Sequence, residues 1–181
     1  MTIPNIITIA RLIMVPLIVV LIGQGRWGLA FTVFVAAGIS DGVDGFIARR
    51  FNMRSEFGAY LDALADKALL VSIYVTLSVT GVLPGWLAIV VVSRDLMIIS
   101  AILVSWLMQR PVAIKPMFVS KLNTGAQIAF AALVLGMKAF TLDAPALHTT
   151  GMVLVAGLTM ISAAAYLARW MRHMANDLDG T

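Results

Sequence analysis

The stretch "SDGVDGFIARRFNMRSEFGAYLDALADK", residues 40–67, places four aspartates inside an otherwise apolar chain. Asp41 and Asp44 stand at the end of one long apolar run, and Asp62 and Asp66 stand near the start of the next. These four make up almost half of the nine acidic residues in the 181-residue chain. Such a concentration of negative charge needs a physical reason.

The composition is that of an integral membrane protein. The chain is 61% hydrophobic and 12% charged, with a mean hydropathy of +0.97, whereas roughly a quarter of the residues in a soluble domain are charged. The length leaves room for about six spans of ~20 residues, so we predict one membrane domain over residues 1–181. With no cysteine in the chain, disulfides, thiolate zinc sites and a cysteine nucleophile are excluded.

The positive charge of the chain does not indicate nucleic-acid binding. The net charge is only +4, and the basic residues lie in short predicted loops rather than on one basic face. Anionic lipid headgroups are the expected partners of such loops. The first apolar stretch lacks preceding basic residues and a clear cleavage site, so we expect Met1 to begin the mature protein.

Apolar runs and their punctuation predict an all-α polytopic protein with six transmembrane helices. The predicted helices are approximately Ile6–Leu21, Trp27–Arg49, Phe57–Thr80, Pro84–Met108, Val119–Lys138 and Ala146–Met171. Pro16 is expected to kink the first helix. Eight basic residues lie in or beside the loops of one membrane side and two in those of the other. This bias predicts cytoplasmic termini and a multi-pass protein of a bacterial-type inner (cytoplasmic) membrane, with the carboxylates near the cytoplasmic face.

The four aspartates fall on two helical stripes. One stripe comprises Asp41, Asp44, Gly45 and Ala48, and the other comprises Gly58, Asp62, Ala65 and Asp66. The link between the two helices is short, so they are expected to be antiparallel neighbours. At ~1.5 Å per residue, Asp44 and Asp62 both lie roughly 6–8 Å from the same end of the pair. All four carboxylates are therefore predicted to converge at one depth.

Four converging carboxylates repel one another, and an unpaired charge in the bilayer costs roughly 3 kcal/mol or more. Too few basic residues lie on these faces for ion pairing to be the whole answer. Hard divalent cations, Mg²⁺ or Mn²⁺, fit oxygen ligands better. Protonated or loop-capping carboxylates are a simpler alternative. An ion pathway is another possible explanation of the carboxylates, but a pathway needs polar residues deeper in the bundle. We expect few polar residues near the midplane of helices 1, 4, 5 and 6.

The two stripes together resemble the signature of the CDP-alcohol phosphatidyltransferases at all eight defined positions. The pattern is Asp41-x2-Asp44-Gly45-x2-Ala48-Arg49-x8-Gly58-x3-Asp62-x3-Asp66. Three further segments resemble the first, fourth and fifth helices of that family: "IPNIITIARLIMVP" (3–16), "VVSRDLMIISAIL" (91–103) and "KPMFVSKLNTGAQ" (115–127). The resemblance extends to about residue 135, and beyond it the chain adds only hydropathy.

The resemblance implies a six-helix enzyme, usually a homodimer, that uses CDP-diacylglycerol and two divalent ions. Asp41, Asp44 and Asp62 would bind the metals, and Asp66 would share metal binding with proton abstraction as the catalytic base. Residues near the CDP-diacylglycerol would be Asn5, Thr8, Gly45, Ala48, Arg49, Ser55 and Gly58.

The acceptor alcohol is less firmly indicated. Arg94, Lys115 and Lys121 form a predicted basic set that suits an acceptor carrying a phosphate. Within the family, the three quoted segments most resemble the CMP-forming cardiolipin synthases, which implies phosphatidylglycerol as the acceptor. The phosphatidylglycerophosphate synthases share much of the pattern, so glycerol 3-phosphate is the alternative. A simpler alternative is that these basic residues are topology determinants and that Arg94 and Asp95 form a structural ion pair.

Overall fold

The computed structural model describes residues 3–50, 56–107 and 118–176, which are all-helical, without a strand. Side-chain surroundings are described for residues 8–43, 65–101, 103–105, 107 and 118–172. The helices are α1 (Ile3–Gly23), α2 (Trp27–Arg50), α3 (Glu56–Val79), α4 (Gly85–Leu107), α5 (Phe118–Ala139) and α6 (Pro145–Asn176). The prediction of six helices is confirmed, and the largest difference is at the end of α6, which continues to Asn176. Pro16 lies inside α1 without ending it.

Within the described residues, three helices contain segments that are long and apolar enough to cross a membrane. These segments are Gly85–Ser105, Phe118–Ala139 and Pro145–Arg172, while Thr8–Gly23 and Trp27–Val43 are shorter apolar helical segments. Large apolar side chains such as Ile13, Ile89 and Met160 are exposed on the outside of the bundle, as expected for a surface in contact with lipid. The protein is therefore an all-helical, multi-pass membrane protein. The count of six spans and the orientation of the termini stay predictions.

The bundle has an apolar half and a polar half. α1 packs against α2 and α3, α4 against α3 and α6, and α5 against α2 and α6. The buried apolar core includes Ile22, Leu77 and Leu83, and it fills the half that contains the short α1–α2 and α3–α4 turns. Buried polar side chains lie towards the other half; they are Thr8, Arg11, Arg94, Asp95, Ser105, Asn123, Gln127, Thr159 and Ser162. This division places the chemistry at the end of the bundle that carries the carboxylate stripes.

The contact between α5 and α6 depends on a glycine. A Cβ atom built on Gly151 would lie 2.5 and 2.7 Å from two ring carbons of Phe130, which is buried. Both distances are far below van der Waals contact. By contrast, a Cβ on Gly157 in the same helix would meet nothing within 4 Å.

We therefore expect Gly151→Ala to lower the stability of the protein by roughly 1–3 kcal/mol, the usual cost of overpacking a core. The measurement is thermal unfolding in detergent, followed by circular dichroism. Gly157→Ala is the matched control and should be at least as stable as the unaltered protein, since it adds a methyl group in open space. Equal melting temperatures for the two variants would contradict this account of the α5–α6 contact.

Candidate active site

Arg11 of α1 joins the two carboxylate stripes. Its Nη2 lies 2.8 Å from Asp41 Oδ1 on α2, and its Nη1 donates to Asp66 Oδ1 on α3 over 2.8 Å. The Arg11 side chain is 1% exposed, whereas the side chains of Asp41 and Asp66 are 45% and 44% exposed. The guanidinium therefore forms the floor of the site, and the two carboxylates lie between this floor and the surface.

The structure thus brings Asp41 and Asp66 to one guanidinium. The expectation that α2 and α3 pack against each other is not met within the described residues, where both helices pack against α1. Asp44 lies in α2 one turn beyond Asp41, and Asp62 lies in α3 one turn before Asp66. Both steps lead towards the α2–α3 link, so the four backbone positions lie at neighbouring depths. The side chains of Asp44 and Asp62 are outside the described set. Among the side chains that are described, no group of three or more potential metal ligands occurs.

The residues expected near CDP-diacylglycerol surround this cluster along the chain. Thr8 is buried and lies one helical turn before Arg11 in α1. Asn5, Gly45, Ala48, Arg49 and Gly58 lie in α1, α2 and α3, with side-chain surroundings outside the described set, and Ser55 lies outside the described residues. Their predicted roles stay predictions.

A second ionic cluster, separate from that of Arg11, has Asp95 at its centre. Asp95 Oδ1 accepts hydrogen bonds from Arg94 Nη1 over 2.6 Å and from Lys67 Nζ over 2.5 Å. Arg94 also donates from Nη2 to Ser162 Oγ over 2.8 Å and to Ser120 Oγ over 2.5 Å. Its Cζ lies 5.6 Å from the centre of the Tyr166 ring. The cluster connects α3, α4, α5 and α6.

This cluster bears on the predicted acceptor-phosphate set. Arg94 is buried, and its guanidinium already donates to partners within the protein, so the structural ion pair with Asp95 that we considered is present. Lys121 is exposed at the start of α5, one residue from Ser120. Lys115 lies outside the described residues. A role in acceptor binding stays a prediction for all three.

Buried polar groups lie near the middle of α5 and α6, so the expectation of few polar residues there is wrong. The Thr159 hydroxyl donates to Asn123 Oδ1 over 2.9 Å, and Gln127 Nε2 donates to Thr159 Oγ1 over 3.2 Å. The Tyr74 hydroxyl donates to the Gln127 carbonyl over 3.1 Å. These buried groups bond to one another across α3, α5 and α6, which is how polar side chains hold helices together in membranes. The i, i+4 spacing of Asn123 and Gln127 was the available signal.

Arg11 contacts both described aspartates of the site, yet the sequence did not single it out as a candidate. The available signal was a single basic residue within an apolar helix, one turn after Thr8. An ionisable residue within such a segment is costly to bury and usually faces a partner inside the bundle.

A comparison with protein families identifies the arrangement. Residues 1–164 match the model of the CDP-alcohol phosphatidyltransferase family. The chain belongs to this family. The family predicted from the signature is therefore confirmed, and the match covers α1 to α5 and more than half of α6.

Relatives of this family member carry two different names. The chain is 38% identical to a "Probable cardiolipin synthase (CMP-forming)" of Drosophila melanogaster, over 91% of this chain and 56% of the relative. It is 35% identical to the "Cardiolipin synthase (CMP-forming)" of Homo sapiens, over 77% of this chain and 52% of the relative. Identity to a "Probable phosphatidylglycerophosphate synthase" of Mycobacterium tuberculosis is 35%, over 94% of this chain and 82% of the relative.

The chain spans about half the length of the two relatives named cardiolipin synthase. The identities to the two named groups differ little. Similarity therefore establishes the phosphatidyltransferase family and leaves the acceptor to be decided by experiment.

For this CDP-alcohol phosphatidyltransferase family member, we expect Asp95→Asn to be strongly destabilising. The substitution removes the anion that Arg94 and Lys67 share, and breaking a buried ion pair typically costs roughly 3–5 kcal/mol. Thermal unfolding in detergent measures the effect. Asp143→Asn is the matched control, because Asp143 is exposed in the α5–α6 turn. Equal melting temperatures for Asp95→Asn and Asp143→Asn would show that the Asp95 cluster does not hold the helices together.

Proposed function

We propose that the protein transfers the phosphatidyl group of CDP-diacylglycerol to a hydroxyl of phosphatidylglycerol, forming cardiolipin and releasing CMP. The observation that carries this proposal is the convergence of Asp41 and Asp66 from α2 and α3 on Arg11, within the signature of a phosphatidyltransferase family. That convergence is what a pyrophosphate-binding site built from the two stripes requires.

The donor set fits a metal site. Carboxylate oxygens are hard ligands of the kind that Mg²⁺ and Mn²⁺ prefer. The two described carboxylates already lie beside one positive charge, and almost half of each side chain is exposed. Asp41, Asp44, Asp62 and Asp66 would hold two such ions, which when bound neutralise the pyrophosphate and stabilise the departing CMP.

The chain's own residues would orient both substrates and move one proton. The acceptor hydroxyl oxygen forms a new bond to the phosphorus that carries the diacylglycerol, and the bond between that phosphorus and CMP breaks. Asp66 accepts the hydroxyl proton. Asn5, Thr8, Gly45, Ala48, Arg49, Ser55 and Gly58 would line the CDP-diacylglycerol site. The positive charge of Arg49 suits a phosphate, and the acyl tails of the substrate stay in the bilayer.

Phosphatidylglycerol is the proposed acceptor because the quoted segments resemble the cardiolipin synthases and two relatives carry that name. For its phosphate, exposed Lys121 is the better placed of the two described basic residues, with Lys115 as a further ligand. Buried Arg94 would orient the neighbouring Ser120, to which it donates a hydrogen bond. To contact the acceptor phosphate itself, Arg94 would have to give up one of its present partners. Glycerol 3-phosphate is the second candidate acceptor, since the relative named "Probable phosphatidylglycerophosphate synthase" is 35% identical over 94% of this chain.

The proposed setting is a bacterial-type inner membrane, with the site facing the cytoplasm. The basic residues of the loops support this orientation. A homodimer is proposed from the resemblance to the family. Both substrates are lipids, so each would approach the site from within the bilayer.

Purified protein should release CMP from CDP-diacylglycerol when Mg²⁺ or Mn²⁺ is supplied, and a chelator should abolish the release. We expect Asp66→Asn to slow CMP release about 10²–10⁴-fold, the usual contribution of a general base. Asp143→Asn, far from the site, should retain the full rate. Metal flux into liposomes without CMP release would instead support a transporter and contradict the proposal.

The acceptor is tested by the product. When CDP-diacylglycerol is offered with phosphatidylglycerol or with glycerol 3-phosphate, we expect cardiolipin to form from the first mixture, as identified by mass spectrometry. Phosphatidylglycerophosphate as the sole product would reject phosphatidylglycerol and establish the second candidate. Lys121→Met should raise the KM for the acceptor and leave that for CDP-diacylglycerol nearly unchanged, because the acceptor phosphate would lose a cationic partner.

A further inference from the structure

We propose that Arg11 is a positioning residue that orients Asp41 and Asp66 for metal binding and stays in place when the ions bind. This inference rests on the proposed function, because it assigns Arg11 a role towards the proposed metal ligands. The opposite possibility is that Arg11 is a substitute cation, which the metals displace. The two possibilities predict opposite changes in metal affinity when Arg11 is removed.

The geometry favours positioning. Two different nitrogens of one guanidinium contact one oxygen each of Asp41 and Asp66, both at 2.8 Å. Because the guanidinium is planar and rigid, it fixes the spacing of the two oxygens that it contacts. Each carboxylate has a second oxygen, and almost half of each side chain is exposed although Arg11 is buried. The carboxylates can therefore contact Arg11 and a metal ion at the same time.

Burial also favours a fixed Arg11. The side chain is 1% exposed, so its charge is compensated by contacts inside the protein, among them those with Asp41 and Asp66. Separating a buried pair is strongly unfavourable, because the remaining charge is uncompensated. Lys67 and Arg94 are not available to replace it, since both already contact Asp95.

The charge balance gives Arg11 a second effect. The predicted convergence of four carboxylates would concentrate negative charge that is costly to hold in the bilayer. One permanent positive charge on the floor lowers this repulsion before any metal arrives. Arg11 thus allows the helices to assemble with their ligands already gathered, which is how a supporting contact strengthens a metal site.

The decisive measurement is Mn²⁺ affinity in the full-length protein, followed by the metal-dependent rise in melting temperature and by titration calorimetry. Arg11→Met should weaken Mn²⁺ binding about 10–100-fold, the range found when a supporting contact to a metal ligand is lost. Arg11→Lys keeps one positive charge but cannot hold both carboxylate oxygens through a planar guanidinium. Its Mn²⁺ affinity should therefore lie between that of the unaltered protein and that of Arg11→Met. Arg26→Met, an exposed residue of the α1–α2 turn, is the control and should bind Mn²⁺ normally.

Unchanged or tighter Mn²⁺ binding by the Arg11 variants would overturn the inference and identify Arg11 as a displaced cation. If Arg11→Met fails to fold, Arg11→Lys decides the question by the same comparison. The proposed function is tested separately by the unaltered protein. Absence of both Mn²⁺ binding and CMP release there would overturn the function and the role of Arg11 together, whereas normal release with unaffected variants would overturn the role alone.

Discussion

A charge within the apolar part of a bilayer must find its partner inside the protein. At the carboxylate stripes this requirement is met by the guanidinium of Arg11, which contacts Asp41 and Asp66 from two other helices. Those contacts connect α1, α2 and α3 at the polar end of the bundle, while apolar packing fills the other end. The same interaction that makes the carboxylates tolerable in the membrane also gathers them at one place.

The two ionic clusters differ in exposure, and this difference separates their roles. In the first, a buried cation supports carboxylates that are almost half exposed, so the carboxylates remain accessible to a ligand. In the second, Asp95 and Arg94 are both buried, and the contacts of Arg94 with Ser162 and Tyr166 enclose them. The first arrangement suits binding, and the second suits holding helices together.

The family and the acceptor are decided by different parts of the molecule. Membership depends on a signature that the consecutive helices α2 and α3 carry in full, and the family model matches residues 1–164. The proposed acceptor contacts involve only a few basic residues, of which Arg94 is buried within α4 and Lys121 is exposed at the start of α5. Relatives with two different names are almost equally similar to the chain.

The sequence by itself determined the helices, the carboxylate stripes and the family. Hydropathy, helical periodicity and fixed spacing are local properties, so they could be read without knowing which helix packs against which. Only the tertiary structure decided that Arg11 lies beneath Asp41 and Asp66, that Lys67 and Arg94 share Asp95, and that Asn123 and Gln127 contact α6 through Thr159. These contacts depend on the rotation and packing of whole helices, and no spacing along the chain specifies them.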